Sequence, residues 1–245
     1  MIHYHGTPVG GTRIDVARFL AARHALAPYI RPDDIAIVAD QCQSFVLDSG
    51  AFSVWRRGAE FDTAGYLAWI GEWRLHPGYD WALIPDVIDG DEEQNDALLD
   101  AWPYSAHEGA PVWHLHESLQ RLQRLARDWP RVALGRSGQW ATPGTGPWWR
   151  RMGDAMAAVC DAHGRPRCRL HGLRMLDPRI FERLPLASAD STNAAVNCGS
   201  LSRFGTYLPP TASQRADVIA ARIEATNSAA VWAADGQADI FEAAS

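Results

Sequence analysis

Apolar residues in this chain fall into two kinds of segment that alternate. Runs of five or six residues, too short for helices, read as buried strands: IHYHG (2–6), HALAPY (24–29), FVLDSG (45–50), WALIPD (81–86), PVWHLH (111–116), RVALGR (131–136), RLHGLR (169–174) and LASADS (186–191). Between them, apolar positions recur at helical spacing. IDVARFLAAR sets Ile14, Ala17, Leu20 and Ala21 on one face, and ESLQRLQRLARDW sets Leu119, Leu122, Leu125 and Trp129 on one stripe. DEEQNDALLDAW opens with Asp91 as a cap and Gln94 three residues on, the spacing of a capping box. Trp148, Met152, Met156 and Val159 repeat at the same period up to a stop at Gly164, and Ser213 is placed to cap a last helix, about 213–226, through Ile219 and Ile223.

Strands alternating with helices pair in parallel, because each crossover helix returns the chain to the same end of the sheet. Eight such units predict closure into a (β/α)8 barrel of the TIM type over one domain, residues 1–245, with the eighth strand near 186–191. HALAPY carries the least strand signal of the eight, and its loss would leave an open sheet or an irregular barrel.

Composition narrows the chemistry. At 245 residues, 47% hydrophobic and 21% charged, the chain reads as globular. No apolar run approaches the roughly 18 residues of a membrane helix, and MIHYHGT lacks the basic and apolar regions of a signal peptide, so a cytoplasmic location is expected. Cys42, Cys160, Cys168 and Cys198 form no C-x-x-C pair and read as small core residues. A net charge of -6 argues against a wholly nucleic-acid-binding surface but allows a local basic patch. All 23 basic residues are arginine, which excludes lysine Schiff bases, carbamylated lysine ligands and phosphate-loop lysines.

In a barrel of this kind, chemistry collects at the C-terminal strand ends. His5, Asp48, Asp86, His116, Arg136 with Ser137, Arg174 and Asp190 each follow an apolar run and precede a loop. Any one of them has a plain structural reading. Asp48 suits an Asx turn in DSG, Asp190 a helix cap, and the histidines satisfied core positions. Residues from different strands converging on one mouth point instead to a site.

Two chemistries fit. In one, His3, His5, His114, His116 and Asp190 hold a divalent metal that activates water, as in barrel amidohydrolases, with His171 nearby in the seventh strand. The other is glycosyl transfer through two carboxylates, one attacking the anomeric carbon and one moving the proton, with Asp48 and Asp190 as the pair. A catalytically silent nucleic-acid-binding module is a third class.

Several short motifs in one order carry a resemblance. LDSGAF looks like the DSGGFQ segment of tRNA-guanine transglycosylases, ALGRSG resembles their GLAVGE strand end, and ASADST falls where their nucleophilic aspartate follows a late strand. With HYHGTP, IPDVIDGDEEQND and PVWHLHESL, residues 1 to 200 more closely resemble the transglycosylase-like proteins of phages and bacterial DNA-modification islands that place 7-deazaguanine derivatives in DNA.

The resemblance implies a pentosyltransferase that exchanges guanine for a 7-deazapurine such as preQ0 and uses no cofactor. It implies Asp190 as nucleophile, Asp48 as general acid/base and Asp86 as acceptor for the guanine N1 and N2 hydrogens. Phe52 and Met175 would clasp the base, groups around Gly135 would meet its carbonyl, and His114 and His116 would complete the base site. The C-x-C-x-x-C zinc site of the tRNA enzymes has no counterpart after residue 190. The expected partner is therefore DNA before tRNA, in the host cytoplasm for a phage-encoded chain. A second copy or an accessory DNA-modification protein is a candidate partner. Arg56 and Arg57 in VWRRG and Arg150 and Arg151 in PWWRRM are candidate contacts to the strand, since tryptophan beside arginine suits stacking and phosphate binding.

Overall fold

The computed structural model describes residues 1–7, 12–200 and 204–233, so Pro8 of HYHGTP lies outside them. Nine parallel strands form one sheet: β1 (Ile2–Gly6), β2 (His24–Pro28), β3 (Ser44–Asp48), β4 (Tyr79–Leu83), β5 (Gly109–Ala110), β6 (Val112–His114), β7 (Arg131–Gly135), β8 (Arg169–Gly172) and β9 (Ser188–Ser191). Their order is β5-β4-β3-β2-β1-β9-β8-β7-β6. The two end strands, β5 and β6, are consecutive in the chain with only Pro111 between them, so the sheet runs round a nearly closed TIM-type barrel whose fifth strand is split.

Proline explains the split. Pro111 has no N–H to give to the ladder, although its carbonyl still accepts from Ala133 N at 2.9 Å. The half-strand before it pairs with β4 and the half after it with β7. The irregularity therefore sits at the fifth strand, while β2 pairs on both sides, with β1 and β3.

Ten α-helices surround the sheet among the described residues: α1 (Arg13–Leu20), α2 (Ile35–Gln41), α3 (Ala51–Trp55), α4 (Thr63–Trp73), α5 (Glu92–Asp100), α6 (Leu119–Asp128), α7 (Gly146–Val159), α8 (Pro178–Phe181), α9 (Asn193–Asn197) and α10 (Ala212–Glu224). The Asp91–Gln94 capping box opens α5, and α6 and α7 bury the expected stripes, with Leu119 and Trp129 only partly covered.

Three expectations need correction. Helix α1 buries Val16, Phe19 and Leu20, and Ile14 is 62% exposed, because the stripe is rotated by about one residue. Helix α7 ends at Val159, and Gly164 instead serves the next turn, at φ 73 and with the Trp232 backbone against it. Helix α10 is capped by Thr211, whose hydroxyl accepts from Gln214 N, whereas Ser213 Oγ donates to Asp15 Oδ1 at 2.9 Å. Among the described residues no helix is long and apolar enough to cross a membrane.

Alternation along the strands divides the core into two layers. Tyr4, Leu26, Val46, Trp81, Leu83, Val112 and Ala133 fill the barrel interior, and Phe45, Leu47, Ala82, Trp113, Leu134 and Ala189 pack outward against the helices. Continuing the inward parity one step brings Asp48, His114, Gly135 and Asp190 to the top of the barrel.

Candidate active site

That top layer surrounds a pocket of about 630 Å³, its open mouth included. Asp48, Phe52, Asp86, His114, Gly135 and Asp190 line it together with Arg136, Leu173 and Arg174. Six of the eight residues expected to handle chemistry or base recognition thus meet in one place, carried by β3, β6, β7, β9, helix α3 and the loop after β4.

Asp190, only 5% exposed, is fixed from two sides. Arg174 N donates to its Oδ1 at 2.9 Å, and His171 Nε2 lies 3.4 Å from the same oxygen. His171 is fully buried, bonds Ser188 Oγ through Nδ1 at 2.9 Å, and meets the edge of Trp81 with ring centroids 4.8 Å apart. These contacts hold the Asp190 carboxylate in one orientation towards the pocket.

Asp48 makes the Asx turn that its DSG context suggests, accepting from Gly50 N at 3.1 Å, and also lines the pocket. Gly50 is required by that turn. It sits at φ 71, and a Cβ there would meet Ile30 at 2.8 Å. Burial pushes the Asp48 carboxyl up to about 6; the Gly50 hydrogen bond opposes this, and the nearby Asp190 and Asp86 charges add to it. Asp48 therefore holds and releases a proton near neutrality, as a general acid/base must. Tyr66, absent from the sequence reading, braces the same region by donating to Leu83 O at 2.8 Å and Leu47 O at 3.2 Å.

Asp86 Oδ2 lies 2.8 Å from His114 Nε2. The imidazole rests against Gly135, where a Cβ would come within 2.8 Å of Nδ1, so glycine here is a matter of close approach. Behind this pair lies a buried network that sequence reasoning missed. Glu117 accepts from His114 N at 2.9 Å, Asn95 Nδ2 at 3.0 Å and Arg121 Nη1 at 2.7 Å. Asn95 in turn accepts from Val87 N at 2.8 Å, holding the loop that carries Asp86. The signal was present as Glu117 and Arg121 at i,i+4 spacing, which reads equally well as a surface pair.

Other expected residues fall elsewhere. Met175 is fully buried in the layer between sheet and helices, and Leu173 lines the pocket in its place. His116 stands at the rim, stacked on His114 at 5.6 Å and bonded to Ser137 Oγ and Gly90 O. Arg151 lies across Trp113 and Trp140 and donates to the Leu115 and Glu117 carbonyls, a tie within the fold. Arg150 is exposed on α7 and lines neither pocket at the mouth. Arg57 donates to Ser53 O, whereas Arg56 faces the mouth.

The metal-ligand set is not assembled. Tyr4 points into the barrel, so His3 and His5 point out, where they bond Thr226 O at 3.0 Å and Glu224 Oε1 at 2.8 Å. Among the described residues no three His, Cys, Asp or Glu side chains are grouped to hold a metal.

No known family model matches this chain. No curated protein matches it significantly.

Proposed function

We propose that this chain is a base-exchanging transglycosylase acting on guanine in nucleic acid, DNA before tRNA, and installing a 7-deazaguanine derivative of the preQ0 type. The observation that carries the reading is that Asp190 and Asp48, the nucleophile and acid/base implied by the motif resemblance, line one pocket, where burial raises the Asp48 carboxyl to about 6.

In this reading a flipped or single-stranded guanosine enters the mouth. Asp190 attacks C1′ as the bond to the purine breaks, and Asp48 gives its proton to the departing base. The incoming deazapurine then loses its proton to the Asp48 carboxylate and attacks C1′, which breaks the ester bond and restores Asp190. Asp86, held by His114, leaves Oδ1 without a protein partner among the described residues, suited to accept from the purine N1 and N2 hydrogens. Phe52, beneath the Arg174 guanidinium at 4.1 Å, supplies an aromatic wall for a flat base.

The test is intact-protein mass spectrometry after incubation with a guanine-containing single-stranded oligonucleotide and no incoming base. Wild type is expected to gain the mass of the strand less guanine, and Asp190→Ala to gain nothing. Failure of wild type to form an adduct with either DNA or tRNA would end the transglycosylase reading.

A further inference from the structure

A second pocket, about 1090 Å³ with its open mouth, adjoins the first, sharing Asp48, Asp190, Arg136 and Arg174 with it and adding Thr7, Arg31 and Arg56. Four guanidinium groups surround it: Arg31, Arg56, Arg136 and Arg174. Arg31, Arg56 and Arg174 are exposed and Arg136 is half-buried. None of the four forms an ion pair among the described residues. Four guanidinium groups against the two carboxylates Asp48 and Asp190 leave this cavity with an excess of positive charge in a chain of net charge -6.

An independent observation points the same way. Thr7, only 2% exposed, lines this pocket, and its Oγ1 has no hydrogen-bond partner among the described residues. A buried hydroxyl left unpaired is costly, and a bound acceptor would recover that cost. Burial and the neighbouring Arg174 push the Arg136 pKa down, with Asp190 opposing, so a further anion beside Arg136 would be favoured.

We infer that this second pocket is a phosphate subsite, taking the phosphate attached to the sugar whose purine occupies the first pocket. The inference rests on the transglycosylase reading for the identity of the purine, but its own content is recognition of a phosphate group by Arg31, Arg56, Arg136, Arg174 and Thr7. Because both pockets border Asp190, a base in one with its phosphate in the other would put the sugar between them, near the carboxylate that attacks C1′.

The test is binding, read by anisotropy of a fluorescent single-stranded DNA with one guanine, in which single phosphates are replaced by neutral methylphosphonates. Neutralising the phosphate next to the guanosine is expected to weaken binding by about ten-fold, the loss of one charge-assisted contact, and neutralising a terminal linkage to change it little. In Arg31→Gln/Arg56→Gln, whose exposed side chains have no partners to lose, the difference between the two strands should shrink several-fold. Guanosine and guanosine 5′-monophosphate as competitors separate the sources. An arginine-dependent advantage for the monophosphate identifies free nucleotides as ligands of the same subsite, and its absence assigns the phosphate to the strand. Equal dependence on every linkage, a position effect unchanged in the variant, or no binding by wild type at low salt would overturn the inference. Because the readout needs no chemistry, a phosphate effect without a covalent adduct would sink the transglycosylase reading alone, and an adduct without a phosphate effect would sink only the subsite.

Discussion

His171 Nε2 sits 3.4 Å beneath Asp190 Oδ1, inside the barrel, with Ser188 holding the other ring nitrogen. The carboxylate that faces the pocket therefore has an imidazole behind it and the Arg174 N–H beside it. Without the ring behind it the carboxylate would be free to swing away from the pocket, and that removes a positioned nucleophile. His171→Leu is expected to slow adduct formation by about ten-fold, since the carboxylate loses the ring packed against it. His171→Gln, which keeps a donor at similar reach, should recover part of that loss. Single-turnover rates alongside thermal midpoints decide the matter. Loss of rate that tracks stability in both variants would reduce His171 to a packing role.

Asp48 predicts a stability effect with a definite sign. Its carboxyl is raised from 3.8 to about 6 in the folded protein, so the native state binds the extra proton between those values. Its contribution is full below about pH 4 and is lost as pH rises through 6. Asp48→Asn removes this dependence while keeping an oxygen for the Gly50 turn. The variant should therefore gain on wild type by up to about 3 kcal/mol at pH 7.5 and show little relative gain at pH 4. Urea unfolding at the two pH values measures it, and the same variant should lose base exchange. The first chemical step in wild type should decline above about pH 6, as the acid deprotonates.

The strands are legible because each apolar run ends in turn residues, and a parallel barrel gathers their C-terminal ends whatever the loops do. A polar residue closing an apolar run is then enough to place Asp48 and Asp190 at the mouth, whereas the fifth run closes with His116 and the pocket takes His114 two residues earlier. Parity fails past the strand end. Arg174 adopts φ 56, and this bend puts Leu173 in the pocket and Met175 in the outer core, which alternation cannot foresee. Likewise Trp beside Arg in PWWRRM reads alike whether the arginine meets a ligand or, as Arg151 does, a backbone carbonyl. Helix α4 escapes a periodicity search because TAGYLAWIGEW is apolar on nearly every side.

Glu117 and Arg121 have fully buried side chains 2.7 Å apart, and their network holds both His114 and the Asp86 loop. Removing one partner leaves the other charge buried, at a cost of about 3–5 kcal/mol. Glu117→Gln and Arg121→Met should each fall in that range, and Glu117→Met/Arg121→Met should cost less than the sum, since neither charge is then stranded. A double-mutant cycle in urea measures the coupling. Additive losses would place the stabilisation elsewhere.

Gly135 offers a change at the base site that leaves both aspartates untouched. Its backbone does not require glycine by conformation, because its φ is not among the positive ones, but a Cβ would come within 2.8 Å of His114 Nδ1 and 3.0 Å of Val112 Cγ1. The ring has little room to yield, being bonded to Asp86 in front and stacked on His116. Gly135→Ala should therefore displace His114 and break its bond to Asp86, costing about 1–3 kcal/mol of stability as overpacking does. Guanosine binding should weaken by about ten-fold if Asp86 is the purine acceptor, the effect of one misplaced charged acceptor. Adding His114→Ala opens space for the new methyl, so the double variant should regain stability relative to Gly135→Ala without regaining guanosine affinity. Recovery of both together would mean that His114 takes no part in orienting Asp86, and the purine edge would have to be read by another group at the mouth.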